Sequence, residues 1–327
     1  MGYFVRRLLI LIISIALIIP IFGCSQAAEP AKVLNVGLLL GSGGLGDRSF
    51  NDSAYAGLLE AQKQFNIRFE TVDTSTKEAN IDALRLFARN NYDLIIAVAF
   101  ENMESLKAVV AEFPKTHFAG IDFELAADNV SSIVYREQEG DFLMGALAAM
   151  LTKTKKVDVI GGTDIPAIRR IMTGFSQGVA YQDPSVTVLT DFAGTFADPQ
   201  VGLALALKRY GEGVDVIHNA ASKTGLGIIQ AAQQVNKFVT GTSGDQRYLA
   251  PGNMVGNRPK RVDTAVLLLI EETHSGAFKP GIRSLGLKEN GLTLGPFDPN
   301  IVTQQMLTRL DDLKVGIISG QIDVKAE

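Results

Sequence analysis

Short apolar segments alternate with amphipathic segments along most of the chain. Val33–Leu40 is a nearly continuous apolar run, which is typical of a strand buried on both faces of a sheet. Phe50–Phe65 then carries apolar residues at every third or fourth position, which predicts an amphipathic helix. The same alternation predicts further strands at Ile67–Val72, Leu94–Ala99, His117–Ile121, Ser131–Tyr135, Val157–Gly161, Val186–Leu189, Val214–Asn219 and Phe238–Gly241, with a β region around Ser284–Leu294. It predicts further helices at Ile81–Ala88, Phe100–Phe113, Phe142–Leu151, Ile168–Val179, Val201–Tyr210, Leu226–Val235, Val262–Thr273 and Gln304–Asp312.

This order of elements determines the predicted fold class. Strands alternating with helices indicate βαβ units and parallel sheets, and right-handed crossovers place helices on both faces of each sheet. The strands are too many for one open sheet, so we expect an α/β protein with two doubly wound, Rossmann-like lobes. Ligands of such sheets bind outside the carboxyl ends of the strands, and a cleft between two lobes can close on a ligand by hinge motion.

The first 24 residues combine a short basic start with an apolar run. Leu8–Ile21 is shorter than the roughly 20 residues of a transmembrane helix but fits the core of a secretory signal. Cys24 follows a glycine at the end of this run, as in a lipobox. We therefore predict a lipoprotein signal peptide over residues 1–23, a lipidated Cys24 and a tether over residues 24–32. An uncleaved N-terminal anchor is the alternative, and either anchor leaves the folded part outside the cytoplasm at a membrane.

Composition and charge support an exported, folded protein. Cys24 is the only cysteine, so no internal disulfide can form, and acylation gives the single thiol a use. The formal charge of −4 becomes −6 once Arg6 and Arg7 leave with the signal peptide. This acidic balance, without a basic cluster, argues against a nucleic-acid partner. With 46% hydrophobic residues the chain can bury a sizeable core.

A glycine-rich loop follows the first predicted strand. Gly41–Gly46 matches the G-x-G-x-x-G pattern of dinucleotide sites, and Asp73 after the second strand could contact a ribose. However, three residues separate Gly46 from Phe50, the first residue of the predicted helix, whose polar cap is Ser49 or Asp47. A cofactor such as NAD is also not expected outside the cytoplasm. We favour a loop that brings backbone N–H groups and Phe50 to the cleft.

The chain lacks the patterns that most catalytic and metal sites require. His117 begins a predicted strand and His274 ends a predicted helix, so both are expected to be structural. No H-E-x-x-H motif, no G-x-S-x-G elbow and no P-loop occurs in the sequence. We therefore expect no metal, no cofactor and no enzymatic activity.

Several motifs together resemble one family. They are Gly46–Gly57 (GDRSFNDSAYAG), Glu137–Gly145 (EQEGDFLMG), Gly161-Gly162, Gly174–Gly178, Thr224–Gly227 and Gly244–Gln246. They resemble motifs of the basic membrane protein family, also called the purine nucleoside receptor A-like lipoproteins. The resemblance covers the chain from about Val33 to Pro299.

The resemblance implies an architecture and a set of partners. It implies a type I periplasmic-binding-protein fold that serves as the substrate-binding protein of an ABC importer, with an ABC permease as partner. The first lobe would take residues 33–136 and about 253–295, and the second lobe residues 137–252 and about 296–327. We expect a monomer that is lipid-anchored on the cell surface or in the periplasm.

The resemblance also implies a ligand and the residues that bind it. The family holds a nucleoside between two aromatic faces and binds its polar edges with carboxylates, which give strong charge-assisted hydrogen bonds. Phe50 matches the stacking aromatic of the first lobe and Asn51 the adjacent polar contact, while Asp122 matches a ligand carboxylate and Lys260 a hinge-side lysine. The predicted ligand-binding residues are Phe50, Asn51, Asp47, Phe100, Asp122, His218, Ser243 and Lys260.

Three of the family's pocket positions differ in this chain, at Gly41, His218 and Ser243, and Ser222 is a further departure. Gly41 and Ser243 stand where the family has aspartates, and Ser222 stands where it prefers glycine. His218 replaces the second stacking aromatic, and its flat ring could stack, hydrogen-bond or titrate near neutral pH. We predict a small polar aromatic ligand, most simply a nucleoside and preferably a purine nucleoside. A surface sensor or adhesion lipoprotein with another ligand is the alternative, followed by a nucleoside-processing enzyme.

Overall fold

Two parallel sheets, each covered by helices, organise the chain in the computed structural model, which describes residues 33–74 and 76–326. The predicted signal peptide, the lipidated Cys24 and the tether lie outside these residues. Within them no helix is both long and apolar enough to span a bilayer.

The first sheet has six parallel strands in the order β11-β5-β4-β3-β1-β2. Its strands are β1 (Leu34–Leu39), β2 (Ile67–Val72), β3 (Leu94–Val98), β4 (His117–Ile121), β5 (Val130–Tyr135) and β11 (Gly281–Leu285). Its helices are α1 (Phe50–Gln64), α2 (Lys77–Arg89), α3 (Met103–Val110) and α8 (Val262–His274). Every residue of β3 and β5 is buried, as expected for strands with helices on both faces.

The second sheet has five parallel strands in the order β10-β9-β8-β6-β7. Its strands are β6 (Lys156–Gly161), β7 (Thr187–Phe192), β8 (Val216–Ala220), β9 (Phe238–Gly241) and β10 (Met254–Asn257). Its helices are α4 (Glu137–Leu151), α5 (Pro166–Gln182), α6 (Pro199–Gly211), α7 (Gly225–Gln234) and α9 (Gln304–Ile318). The first five strands of each sheet follow the same spatial order, so the predicted two-lobed, doubly wound α/β fold is confirmed.

The chain passes from one sheet to the other after β5, after β10 and after β11. The second sheet includes β10, which begins just past the lobe boundary expected at about residue 253. β11 spans Gly281–Leu285, earlier than the β region predicted around Ser284–Leu294. Backbone hydrogen bonds join the three connections to one another, and a closing motion of the lobes would bend the chain there.

Two motif glycines let α4 and α5 approach closely. A Cβ on Gly145 would lie 2.0 Å from the carbonyl oxygen of Phe175, and one on Gly178 would lie 1.8 Å from that of Phe142. Any side chain would force the helices apart, so glycine is required at both positions. These parts of the family-like motifs therefore serve the packing of the second lobe and not its ligand site.

Asp47 caps α1, and Asn51 links it to Gly41 of the glycine-rich loop. Its carboxylate accepts hydrogen bonds from the backbone N–H groups of Ser49 (2.8 Å) and Asn51 (2.9 Å). The Ser49 side chain makes no capping hydrogen bond. Of the two predicted caps, Asp47 is therefore the one that caps α1. The helix begins at Phe50, well past Gly46, which differs from the loop-to-helix geometry of a dinucleotide site.

Candidate functional site

A cavity lies between the carboxyl ends of the two sheets. The wall formed by the first sheet, called here the first wall, consists of Gly41, Ser42, Gly43, Ser49, Phe50, Asn51, Ser53, Ala99, Phe100, Glu101, Asp122 and the hinge residue Lys260. The wall formed by the second sheet, the second wall, consists of Ile165, Ala167, Ile168, Ile171, Phe196, Ala220, Ser222, Thr242, Ser243 and Gly244. Its position matches the crevice where open α/β sheets bind ligands.

Most of the predicted ligand-binding residues meet in this cavity. They are Phe50, Asn51, Phe100, Asp122, Ser243 and Lys260. Asn51 also has a structural task, because its Oδ1 accepts the Gly41 N–H at 2.8 Å and its Nδ2 donates to Asp47 at 3.0 Å. Asp47 and His218 are not among the lining residues.

A buried ion cluster occupies the hinge end of the first wall. Lys260 Nζ lies 2.9 and 2.8 Å from the two oxygens of Asp122 and 2.8 Å from Glu137 Oε1. Arg170 Nε lies 2.6 Å from Glu137 Oε2, so this carboxylate has two cationic partners. Lys260 also lies 5.6 Å from the centre of the Phe50 ring, which adds a cation–π contact.

Burial and charge set the ionisation of this cluster. Burial opposes the charged form of Lys260, but the two carboxylates outweigh it and raise the pKa of the ammonium. Burial also opposes ionisation of Glu137, yet Lys260 and Arg170 lower the pKa of this carboxyl below its usual value. Burial and the negative charge of Glu137 raise the pKa of Asp122. Lys260 opposes this shift, but it is shared between the two carboxylates and does not cancel it.

Two lining residues at strand ends have left-handed backbone conformations. Ala99, just after β3, has φ +76°, and Asp122, just after β4, has φ +76°. Such conformations are uncommon for residues other than glycine and are retained only where surrounding contacts impose them. Here the backbone N–H of Ala99 donates to Ile121 and that of Asp122 donates to Ile133, which fixes both turns at the edge of the cavity.

His218 lies in the core of the second lobe and not at the cavity. Its side chain is completely buried, with Nε2 2.9 Å from Asp141 Oδ1 and Nδ1 2.8 Å from Thr240 Oγ1. The ring stacks on Phe175 at 5.2 Å between centres. Burial lowers the pKa of this imidazole, although Asp141 opposes the shift. The expectation of a ligand-facing His218 is therefore wrong in this structure, because the residue sits two positions before the end of β8.

The prediction that Asp47 binds the ligand is also wrong, because Asp47 is fully buried behind the first wall. Its carboxylate caps α1 and accepts a hydrogen bond from Ser222 Oγ at 2.8 Å. Both oxygens are thereby engaged by the protein, which leaves Asp47 a positioning role for Phe50 at the helix start.

Phe196 is a cavity residue that is not among the ligand-binding residues predicted from the sequence. It lies in the loop after β7, half-buried, and lines the second wall. A Cβ on Gly162 would lie 2.1 Å from its ring, so the ring rests directly against the Gly162 backbone. The Gly161-Gly162 pair is the feature of the sequence that points to this position, because a glycine without a side chain leaves room for a neighbouring ring.

The two walls touch directly at the segment 47–49. Ser49 Oγ lies 2.5 Å from Ser243 Oγ, and Gln246 Nε2 donates to the carbonyl oxygen of Arg48 at 2.9 Å. Arg48 Nη1 donates to the hydroxyl of Tyr248 at 3.2 Å, and its guanidinium lies over that ring. The lobes are thus closed over the cavity.

Residues 33–74 and 76–326 contain no cluster of three or more histidine, cysteine or acidic side chains that could hold a metal ion. The polar groups of the cavity are instead hydroxyls, backbone amides, an amide side chain, two carboxylates and the Lys260 ammonium. Such a set can bind and orient an organic ligand by hydrogen bonds, and its aromatic rings can cover flat surfaces.

Comparisons with known proteins agree with this arrangement. The model of the Bmp family, described as ABC transporter substrate-binding protein PnrA-like, matches residues 34–327. An uncharacterised lipoprotein of Pyrococcus horikoshii is 32% identical over 308 residues, which cover 88% of this chain and 76% of the relative. Basic membrane protein A1 of Borrelia garinii is 28% identical and covers 98% of this chain and 96% of its own length.

A solved structure has the same fold. An ABC transporter solute-binding protein of Aeropyrum pernix superposes with a TM-score of 0.83 at 28% identity, covering 90% of this chain and 94% of that one. The family model and this neighbour both describe substrate-binding proteins, and neither describes an enzyme or a dinucleotide-dependent protein.

Proposed function

Because the chain belongs to the PnrA-like Bmp family of ABC transporter substrate-binding proteins, we propose that its cavity binds a nucleoside, preferably a purine nucleoside, and presents it to an ABC permease. Membership of this family makes the chain a substrate-binding protein and not an enzyme. A small-molecule ligand and a permease partner follow from the same membership.

The proposal rests on one observation above all. Phe50 from the first lobe and Phe196 from the second both line the same cavity. A nucleobase is a flat π surface that gains about 1–3 kcal/mol from each aromatic side chain on which it stacks. With Phe196 lining the second wall, the burial of His218 away from the cavity does not argue against a nucleobase.

Polar groups of the first wall support the same ligand. Asp122 and Lys260 lie together at one end of the cavity, next to the Phe50 ring. A nucleoside carries both hydrogen-bond donors and acceptors on its base and sugar, and it needs partners for them when water is excluded. The cluster offers carboxylate acceptors for the donors of such a ligand, while the Lys260 ammonium already donates to Asp122 and Glu137.

We also propose that the protein is a monomer held to a membrane by diacylation of Cys24. Relatives in Pyrococcus are named lipoproteins, and Cys24 directly follows the apolar run of a signal sequence. Two acyl chains on one cysteine are enough for stable anchoring. Cys24→Ala should therefore move the protein from the membrane fraction to the soluble fraction, and membrane retention of the variant would favour an uncleaved anchor.

Isothermal titration of the purified protein with a panel of nucleosides and nucleobases tests the ligand. We expect saturable heat with at least one purine nucleoside and weaker or no heat with the free base. No heat with any purine or pyrimidine nucleoside would contradict the proposal and favour a sensor lipoprotein with another ligand. Product formation during the incubation would favour an enzyme instead.

A further inference from the structure

The edge of the first wall beside Gly41 contains the carboxylate of Glu101, which has no role in the proposed nucleoside binding so far. Glu101 lies on the short 3₁₀ turn Phe100–Asn102 that follows β3, and its side chain lines the cavity. The residue is exposed and belongs to none of the family-like motifs.

The turn that carries Glu101 is fastened to the end of β1. Asn102 is completely buried, and its Nδ2 donates to the carbonyl oxygens of Leu40 and Val98, each at 2.8 Å. Asn80 Nδ2 in turn donates to Asn102 Oδ1 at 2.7 Å. These bonds hold Glu101 next to Gly41, although sixty positions separate the two residues along the chain.

Glu101 occupies the space that a side chain at position 41 would enter. Its Oε1 accepts the Ser42 N–H at 2.8 Å. A Cβ built on Gly41 would lie 3.1 Å from this oxygen and 2.6 Å from the Cβ of Ala99. Ala99 therefore excludes a side chain at position 41, and the carboxylate reaches the same region from the neighbouring strand.

The two carboxylates of the cavity differ in how far the protein already uses them. Both oxygens of Asp122 lie within 2.9 Å of Lys260. Of Glu101 only Oε1 is engaged, and no donor among residues 33–74 and 76–326 hydrogen-bonds its Oε2. A carboxylate oxygen without a donor from the protein can accept a hydrogen bond from a ligand N–H or O–H.

We infer that Glu101 is a specificity-determining residue whose carboxylate accepts a hydrogen bond from the bound nucleoside, in the region where Gly41 leaves the first wall without a side chain. This inference rests on the proposed function. Gly41 and Ala99 are also linked sterically, because the Cβ of Ala99 leaves no room for a side chain at position 41.

The test compares Glu101→Gln with the purified protein by titration of inosine, guanosine and adenosine. The amide keeps an acceptor for the Ser42 N–H but loses the charge, so we expect the dissociation constant of the tightest nucleoside to rise about tenfold. Glu101→Ala should raise it further. Glu104→Gln is the control, because Glu104 lies on the next helix, outside the cavity, with a side chain 52% exposed.

The outcomes separate this inference from the proposed function. The inference is supported if Glu101→Gln weakens nucleoside binding tenfold without a change in melting temperature, while Glu104→Gln binds nucleoside like the unaltered protein. Equal affinity of Glu101→Gln and the unaltered protein overturns the inference and leaves nucleoside binding intact. Absence of nucleoside binding by the unaltered protein overturns both.

Discussion

The two walls of the cavity come from sheets with the same strand order, yet their chemistry differs. The first wall carries Phe50, Asp122 and Lys260, with Glu101 at its edge. Apart from a few hydroxyls, the second wall is apolar and centres on Phe196 and three isoleucines. The second sheet does contain charges, but Asp158, in the middle of β6, is fully buried away from the cavity.

The two walls can therefore have different roles when the receptor closes on a ligand. The first wall recognises polar edges, because its charged groups converge at strand ends and at the hinge. The second wall covers the ligand with apolar area and one ring, which requires little directional precision during closure. Loss of carboxylates from the second wall therefore affects recognition less than loss from the first.

Removal of the cation from the first wall should have the largest effect. Lys260→Met leaves Asp122 and Glu137 buried with one fewer positive partner, and breaking such a pair typically costs about 3–5 kcal/mol of stability. Denaturant unfolding at pH 7 measures this loss. Lys208→Met is the control, because Lys208 is 62% exposed and its removal should cost little. Equal unfolding free energies of the two variants would contradict the conclusion that Lys260 stabilises the buried carboxylates of Asp122 and Glu137.

Truncation of one ring on each wall should have the next largest effect. Phe50→Ala and Phe196→Ala should each weaken nucleoside binding by about 2 kcal/mol, which is roughly thirtyfold, because each removes one stacking face. Phe192→Ala serves as the control, since Phe192 is 41% exposed and lies outside the cavity. If only Phe50→Ala lost much affinity for the nucleoside, Phe196 would not stack on the base and the second wall would only shield the ligand from water.

The first wall was largely predictable from the sequence, because its residues follow buried strands directly. Phe50 and Asp122 each stand at a strand or helix boundary that hydrophobic periodicity locates well. His218 was misplaced, because two residues of β8 still separate it from the strand end and its ring points into the core. Local spacing along a strand does not reveal which of several polar residues reaches the edge.

The second wall was harder to predict. Phe196 lies in an irregular loop without periodicity, so only the packing against Gly162 reveals its place. β10 was missed, because Met254–Asn257 is short and contains a glycine. The Glu101 turn depends on Asn102 bonding to β1, a contact between distant residues that no local pattern encodes. Elements followed from periodicity, whereas loops and long-range polar contacts required the structure.

The charges behind the second wall should affect stability with pH but not binding. Asp158 is completely buried beside Asp191, and burial, followed by the negative charge of Asp191, raises its pKa to about 7. The folded state therefore keeps this proton while the unfolded chain, with a pKa near 3.8, loses it. The stabilisation from Asp158 is complete below pH 3.8 and is lost as the pH rises to about 7.

Asp158→Asn tests this behaviour. The neutral amide does not ionise, so the variant should be more stable than the unaltered protein at pH 8, by about 1–3 kcal/mol, and lose that advantage at pH 5. Unfolding free energies at the two pH values measure the difference. Nucleoside affinity at pH 7 should stay unchanged, since Asp158 does not line the cavity. A variant that is less stable at pH 8 would contradict the protonated form.

The smallest expected effect concerns the contacts between the walls. Ser222 donates to Asp47, and Ser243 hydrogen-bonds Ser49, so two of the positions that differ from the family pattern join the lobes directly. These bonds exist only while the walls are together, and each is worth about 0.5–1.5 kcal/mol. Replacing both serines with alanine should weaken nucleoside binding about fivefold, mainly through faster dissociation, with little change in unfolding free energy.

Stopped-flow dissociation and titration of the double variant measure this effect, and Ser185→Ala, in an exposed loop of the second lobe, is the control. Tighter binding by the double variant would reverse the interpretation. The serines would then hold the empty protein closed and hinder ligand entry, because a ligand gains affinity only from contacts that distinguish the closed state from the open one. The sign of this small effect therefore shows whether Ser222 and Ser243 support ligand-driven closure or compete with it.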